Sequence, residues 1–244
     1  MGHSSLSKNP YYNFWQTLTL GFLIFLIFSI FQSVLLIAYS VYTQDLSTNN
    51  LDASLLTLSG DALAIAEIPS AIIGTFLVFF VVSRKVSGTK VLTPKAYLQF
   101  NIPSILQLLT WLGVMLLVII ALETVNNLLE RETPEFMIQV FGNTDNFILL
   151  WIAVVIGAPI FEEFLFRGFI FEGLVNSHVG LISAILISAF TWAIIHLQYG
   201  SFEIITIFLI GLILAIAKYK TKSLYIPIAM HMLMNLAASV SMEL

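Results

Sequence analysis

Cysteine is absent from the 244 residues, which excludes disulfides, thiolate metal sites and cysteine nucleophiles. Charge is almost as scarce. Asp, Glu, Lys and Arg make up 10% of the chain, against about 25% in soluble domains, whose surfaces face water. So poor a supply of charge means that most of the outer surface faces lipid tails, and it excludes a cytosolic enzyme or a disordered regulator. Ten Lys and Arg against 14 Asp and Glu leave a net charge of −4. That provides no basic surface for a phosphate backbone, and no nucleic-acid partner is expected. Also lacking is an internal repeat or inverted half, the mark of many secondary transporters. Chemistry at this chain has to come from His, Glu, Asp, Asn, Ser or Arg.

What is present is hydrophobic sequence, 59% of the residues, with 20 phenylalanines. A bilayer core needs about 20 apolar residues per helix. Charged and Pro/Gly-marked gaps divide the chain into seven segments of that size: 15–41, 62–83, 103–122, a long one over 147–176, 181–197, 202–218 and 224–240. The expected fold is therefore all-α, a polytopic membrane helix bundle of seven spans. Gly157, Ala158 and Pro159 offer an alternative in which the fourth segment breaks in two and the spans number eight. The first apolar run is too long for a secretion signal, and Leu6 stands where a myristoylation motif needs Ser or Thr. One membrane domain is expected, with a cytoplasmic stretch over 1–14, amino-terminal spans over 15–123 and a second set over 147–240.

Lysine and arginine orient the spans. Lys8 precedes the first, Arg84, Lys85, Lys90 and Lys95 follow the second, and Lys218, Lys220 and Lys222 follow the sixth. The connections after the first and third carry Asp45, Asp52, Asp61, Glu130, Glu132, Glu135 and Asp145 against a single Arg131. The positive-inside rule then predicts a cytoplasmic amino terminus and an outside carboxyl terminus.

Ionisable groups inside spans cost several kcal/mol, in the range of about 2 to 4, and mark functional sites by default. Glu67, Glu123 and Glu203 fall near span ends, where an interfacial role is expected. The fourth span differs, because Glu162, Glu163 and Arg167 sit among Phe161, Phe164 and Phe166. Glu163 and Arg167 are four residues apart, share a helix face and can neutralise each other. Glu162 lies about 100° round the helix without a local partner. Desolvation disfavours its charged form, which suits a general base. All three would also serve as a buried polar lock between helices. Two histidines bear on that choice. His196 is near the far end of the fifth span with Trp192 one turn earlier, and His231 lies in the seventh with Asn235 one turn later. An interhelical hydrogen bond is the ordinary use of such a histidine. His3 and His178 are in polar surroundings and receive no role.

Depth decides whether these groups can meet. Glu162 and His196 stand about equally far from the turn at 177–180, so antiparallel helices would make them neighbours. His231 enters from Lys222 to a depth of about 13 Å against about 24 Å for the other two, a mismatch of about 10 Å. Projection of the 171–180 stretch beyond the membrane by that amount would close it.

The combination of Glu162-Glu163 with Arg167, then His196, then His231 with Asn235, across consecutive hydrophobic spans, resembles the CAAX protease and bacteriocin-processing family, also called the Abi family. The likeness covers about 147–240, and FEEFLFRG (161–168) is similar to the prokaryotic form of the first motif. The one departure is Trp192, where the family usually has Phe, which affects local packing. The resemblance implies an intramembrane endopeptidase, related to the type II enzymes that trim prenylated CAAX proteins. It implies that Glu162 and His196 activate water, that His231 and Asn235 hold the oxyanion, and that Glu163 and Arg167 support the site. The implied partners are membrane lipids and a peptide or lipidated protein substrate. The implied location is a bacterial inner membrane. No cofactor is expected, since no HExxH pairing places two ligands on one helix turn. The zinc alternative would use Glu162, His196 and His231. A non-catalytic member, conferring bacteriocin immunity or regulating a sensor kinase, is the competing function.

Overall fold

A computed structural model describes residues 9–43, 59–89 and 92–242. Among them every regular element is helical. The loop charges Asp45 and Asp52, with Lys8 and Lys90, lie outside the described residues. Helix α1 (Phe14–Thr43) and α2 (Gly60–Thr89) are followed by a short α3 (Pro94–Leu98), then α4 (Ile105–Leu128) and α5 (Glu135–Gly142). The fourth span, Phe147–Val175, is one unbroken helical run. Within it, α6 (Phe147–Trp151), α7 (Ala158–Glu163) and α8 (Phe171–Val175) are joined by π-helical segments over Ile152–Gly157 and Phe164–Ile170. Helices α9 (Gly180–Ile194), α10 (Ser201–Thr221) and α11 (Tyr225–Ser241) complete the bundle.

Among the described residues five runs are long and apolar enough to cross a membrane: α1, α2, α4, the fourth span and α10. Helices α9 and α11 are apolar but shorter, and together these make seven. The chain is a multi-pass integral membrane protein of all-α architecture. The alternative of eight spans is not realised. Pro159 removes a backbone donor and would clash with the carbonyl four residues back in an α-helix, and the helix answers by widening to π rather than by breaking.

The core joins both halves of the chain. Phe28 of α1 stacks on Phe161 of α7 with ring centroids 4.2 Å apart. Gly74 of α2 lies so close to that ring that an added Cβ would come within 2.4 Å of it, so glycine there lets α2 approach the fourth span. Helix α4 is set apart, packing chiefly along α11, with Met115 its one buried residue.

Two short helices, neither distinguished in the sequence, finish the ends. Thr93 caps α3 by accepting from the Ala96 N–H at 3.2 Å, with Pro94 at the first helical position, where its missing N–H costs nothing. Gln99 then turns into the left-handed region at φ 55° and is held there. Its side chain accepts from Lys218 Nζ at 2.8 Å and donates to Glu172 at 2.9 Å, and its carbonyl accepts from the Leu224 N–H at 3.0 Å. Lys218 and Glu172 are themselves a buried pair at 2.6 Å. At the other end, α5 buries Val140 and Phe141 against Leu150, and Arg131 pairs with Glu203 at 2.6 Å while lying over the Phe202 ring.

Candidate active site

The fourth span brings its carboxylates inward through irregular helix. Helix α7 carries Glu162 and Glu163 between the two π segments, a helix distortion frequent at functional sites. In the first segment the Ala158 N–H reaches back five residues to the Ala153 carbonyl. In that register the next donor, for the Val154 carbonyl, would be residue 159, and proline has none. Asn235 of α11 supplies it, donating from Nδ2 to the Val154 carbonyl at 2.7 Å. A missing proton in one span thus fixes an amide of another.

Glu163 is fully buried. Its Oε1 accepts from Arg167 Nη1 at 2.8 Å and faces His231 Nδ1 at 2.9 Å, so three residues from two helices close on one oxygen. Arg167 Nη2 reaches the Gly211 carbonyl at 3.4 Å. Glu163 Oε2 and Arg167 Nε have no hydrogen-bond partner. This group is buried as a unit.

Glu162 is placed differently. It is half-buried, and its Oε2 accepts from the indole N–H of Trp192 at 2.5 Å. His196 is half-buried as well, beyond the last residue of α9, with Nδ1 at 2.9 Å from the Trp192 carbonyl. A carbonyl oxygen only accepts, so Nδ1 carries the proton and Nε2 of the neutral ring is left as an acceptor. The site therefore contains a carboxylate outside any ion pair and an imidazole whose Nε2 is an acceptor when the ring is neutral. Those are the parts of a water-activating pair.

All six residues singled out in the sequence lie on the fourth span, α9 with its following turn, and α11, but their contacts differ from the expected ones. Glu162 and His196 are not directly bonded, and both are held by Trp192. The indole also lies edge-on to both histidines, 5.4 Å from His196 and 5.2 Å from His231 between ring centroids. It is Trp192, one turn before His196, that reaches the level of His231. The expected 10 Å projection of the 171–180 stretch is not needed in full. Glu172 meets Lys218, each four residues before its chain reverses, so the two turns lie near one level.

The structure also moves Glu67 from the interface to the interior. It is 6% exposed and accepts from Gln32 Nε2 at 2.5 Å, leaving Oε1 buried without a partner. Glu67 stands seven residues into α2, and nothing in the sequence marked Gln32 of α1 as its cover. For Trp192 the signal was its place one turn before His196.

The three residues that the zinc alternative would use do not gather. Among the described residues no three His, Asp or Glu side chains come together closely enough to hold a metal ion. Nδ1 of His196 faces a backbone carbonyl and Nδ1 of His231 faces Glu163, while Glu162 bonds to Trp192.

No curated protein matches the chain, and no solved structure does. One family model matches, described as type II CAAX prenyl endopeptidase Rce1-like, over residues 144–237. That stretch contains Glu162, Glu163, Arg167, Trp192, His196, His231 and Asn235 and excludes α1, α2 and α4. Over 144–237, less than half of the chain, the sequence thus matches the Rce1-like type II CAAX prenyl endopeptidase family model, in line with the family its motifs resemble.

Proposed function

We propose that the protein is an intramembrane endopeptidase that hydrolyses a peptide bond of a membrane-associated or lipidated peptide, using water activated by Glu162 and His196. The observation that carries this reading is the unequal treatment of two adjacent carboxylates. Glu163 is buried and its Oε1 is taken up by Arg167 and His231, whereas Glu162 is half-buried and outside any ion pair. A water held between Glu162 and His196 Nε2 attacks the scissile carbonyl carbon and gives one proton to the pair. The resulting oxyanion is stabilised by N–H donors of His231 and Asn235. Collapse breaks the C–N bond, the stored proton passes to the leaving amine, and the former water oxygen stays in the new carboxyl group.

His231, bonded to Glu163 through Nδ1, offers Nε2 to the oxyanion as an N–H donor when the ring carries both protons. Asn235 retains one Nδ2 proton beyond the one given to Val154. Glu163 and Arg167 hold His231 in place. The fitting location is a bacterial inner membrane with the amino terminus in the cytoplasm, since the lysines after α2 and α10 then face inward. Cysteines at Lys220 and Glu132 should be labelled from opposite sides of that membrane, and labelling from one side only would reverse or refute the topology.

The function is tested by Glu162→Gln, which keeps volume and removes the base. With a farnesylated CAAX peptide as substrate, turnover should vanish while the melting temperature stays within a few degrees of the unsubstituted protein. A stable and fully active Glu162→Gln would refute the reading. It would leave a binding or regulatory protein whose Glu163, Arg167 and His231 form a structural lock.

A further inference from the structure

Trp192 is the largest fully buried side chain in the protein, and its contacts are unusual for a residue that only fills space. The Arg167 guanidinium lies over its ring at 4.3 Å from the centroid, and both histidines meet it edge-on. The room for so large a ring comes from α10. A Cβ on Gly211 would lie 3.1 Å from Trp192 Cε3, and the carbonyl of the same glycine takes Arg167 Nη2. Ring, guanidinium and glycine therefore fix one another.

The polar atoms of Trp192 are placed as specifically as its ring. A phenyl ring would satisfy the packing, but only an indole adds a donor, and that donor is spent on Glu162. The contrast with Trp151 is instructive, because its buried indole N–H has no partner at all. On Glu162 the bond occupies Oε2 and holds the carboxylate in one orientation, leaving Oε1 without a hydrogen-bond partner among the described residues. Through its carbonyl, the same residue orients His196 with Nδ1 protonated. One residue thus sets the direction of one member of the proposed pair and the tautomer of the other.

We propose that Trp192 is a positioning residue of the peptidase site, fixing Glu162 through its indole N–H and His196 through its carbonyl so that the free Oε1 and the free Nε2 are presented to the same water. The inference rests on the reading of Glu162 and His196 as the water-activating pair. Orientation of the reacting groups raises turnover without altering how substrate is held elsewhere, so loss of the N–H should appear in kcat and not in KM.

The test uses the full chain in detergent and a farnesylated CAAX peptide. Trp192→Phe keeps an aromatic ring and removes the donor. Its kcat should fall about ten- to hundredfold, the effect of one hydrogen bond to a charged group, with KM within about twofold and a melting temperature within a few degrees of the unsubstituted protein. A second measurement does not depend on activity. Of the four tryptophan indole signals in protein labelled with 15N-tryptophan, one should shift on Glu162→Gln and the other three should stay. Wild-type kcat in Trp192→Phe beside an inactive Glu162→Gln overturns the inference and leaves the peptidase reading standing. A fully active Glu162→Gln overturns both. If Trp192→Phe fails to fold, the indole spectrum decides alone, and four unmoved signals overturn the inference.

Discussion

Helix α4 and the fourth span are both apolar enough to cross a bilayer, yet they meet their surroundings in opposite ways. Of the 24 residues of α4 only Met115 is buried, and outside the stripe that meets α11 and the core its side chains face lipid. The fourth span buries every residue from Leu165 to Leu174, encloses three charged side chains in Glu163, Arg167 and Glu172, and departs twice from α-helical geometry. Lipid tails are as apolar as leucine, so hydrophobicity puts a helix into a membrane without gathering it to its neighbours. Close approach and polar bonds do that. In this protein they come from Gly74, Gly211, the freed Val154 carbonyl and the Glu163 cluster.

The comparison is broken most severely by removing the charge that holds the cluster. Glu163→Ala strands a buried guanidinium beside His231, and unfolding in detergent should show a loss of about 3–5 kcal/mol, the range for one partner removed from a buried pair. The same change at Glu123, exposed on α4, should leave the unfolding curve in place. Equal behaviour of the two variants would show that the cluster is not what binds the core.

Next in size is a change aimed at the chemistry. Asn235→Ala removes a donor proposed for the oxyanion, and turnover of a farnesylated CAAX peptide should fall by about 10² to 10³ with KM little changed. A stability loss with unaltered kcat would instead assign Asn235 wholly to its bond with Val154.

Small residues sharpen the contrast further. Gly74→Ala pushes a methyl group into the Phe161 ring and should cost about 1–3 kcal/mol, as overpacking does. Gly113→Ala on α4 meets nothing within 4 Å and should be neutral or slightly stabilising by melting temperature, since alanine is the better helix former. The smallest expected effect concerns metal. Because Glu162, His196 and His231 do not converge, a strong zinc chelator should leave peptide turnover unchanged. Turnover lost with chelator and restored by zinc would require those side chains to regroup during catalysis.

Much of this was legible in the sequence. Hydrophobic runs marked seven spans because the bilayer demands about 20 apolar residues in a row, and the structure places a helix at each of them. The extra helices α3 and α5 were missed because runs of five and eight residues sit in charged connections and carry no spanning signal. The Glu163–Arg167 contact follows from helical spacing alone. Glu67 was misjudged because distance from a span end says little about whether a neighbouring helix, here α1 with Gln32, covers the residue.

What the sequence determined by itself is whatever depends on local chemistry. Scarce charge requires a membrane, apolar length sets the spans, and a proline at 159 denies the helix one N–H. Which groups from different helices touch is another matter, because in a bundle each helix is free to rotate and slide until packing stops it. Only the tertiary structure decided that His231 turns to Glu163, that Asn235 satisfies the carbonyl Pro159 leaves open, and that Trp192, one turn short of the histidine the sequence pointed to, holds Glu162 and His196 in place. Those pairings depend on Gly74 and Gly211 letting helices approach and on π-helical turns changing register inside the fourth span, and neither effect can be computed from spacing along one helix.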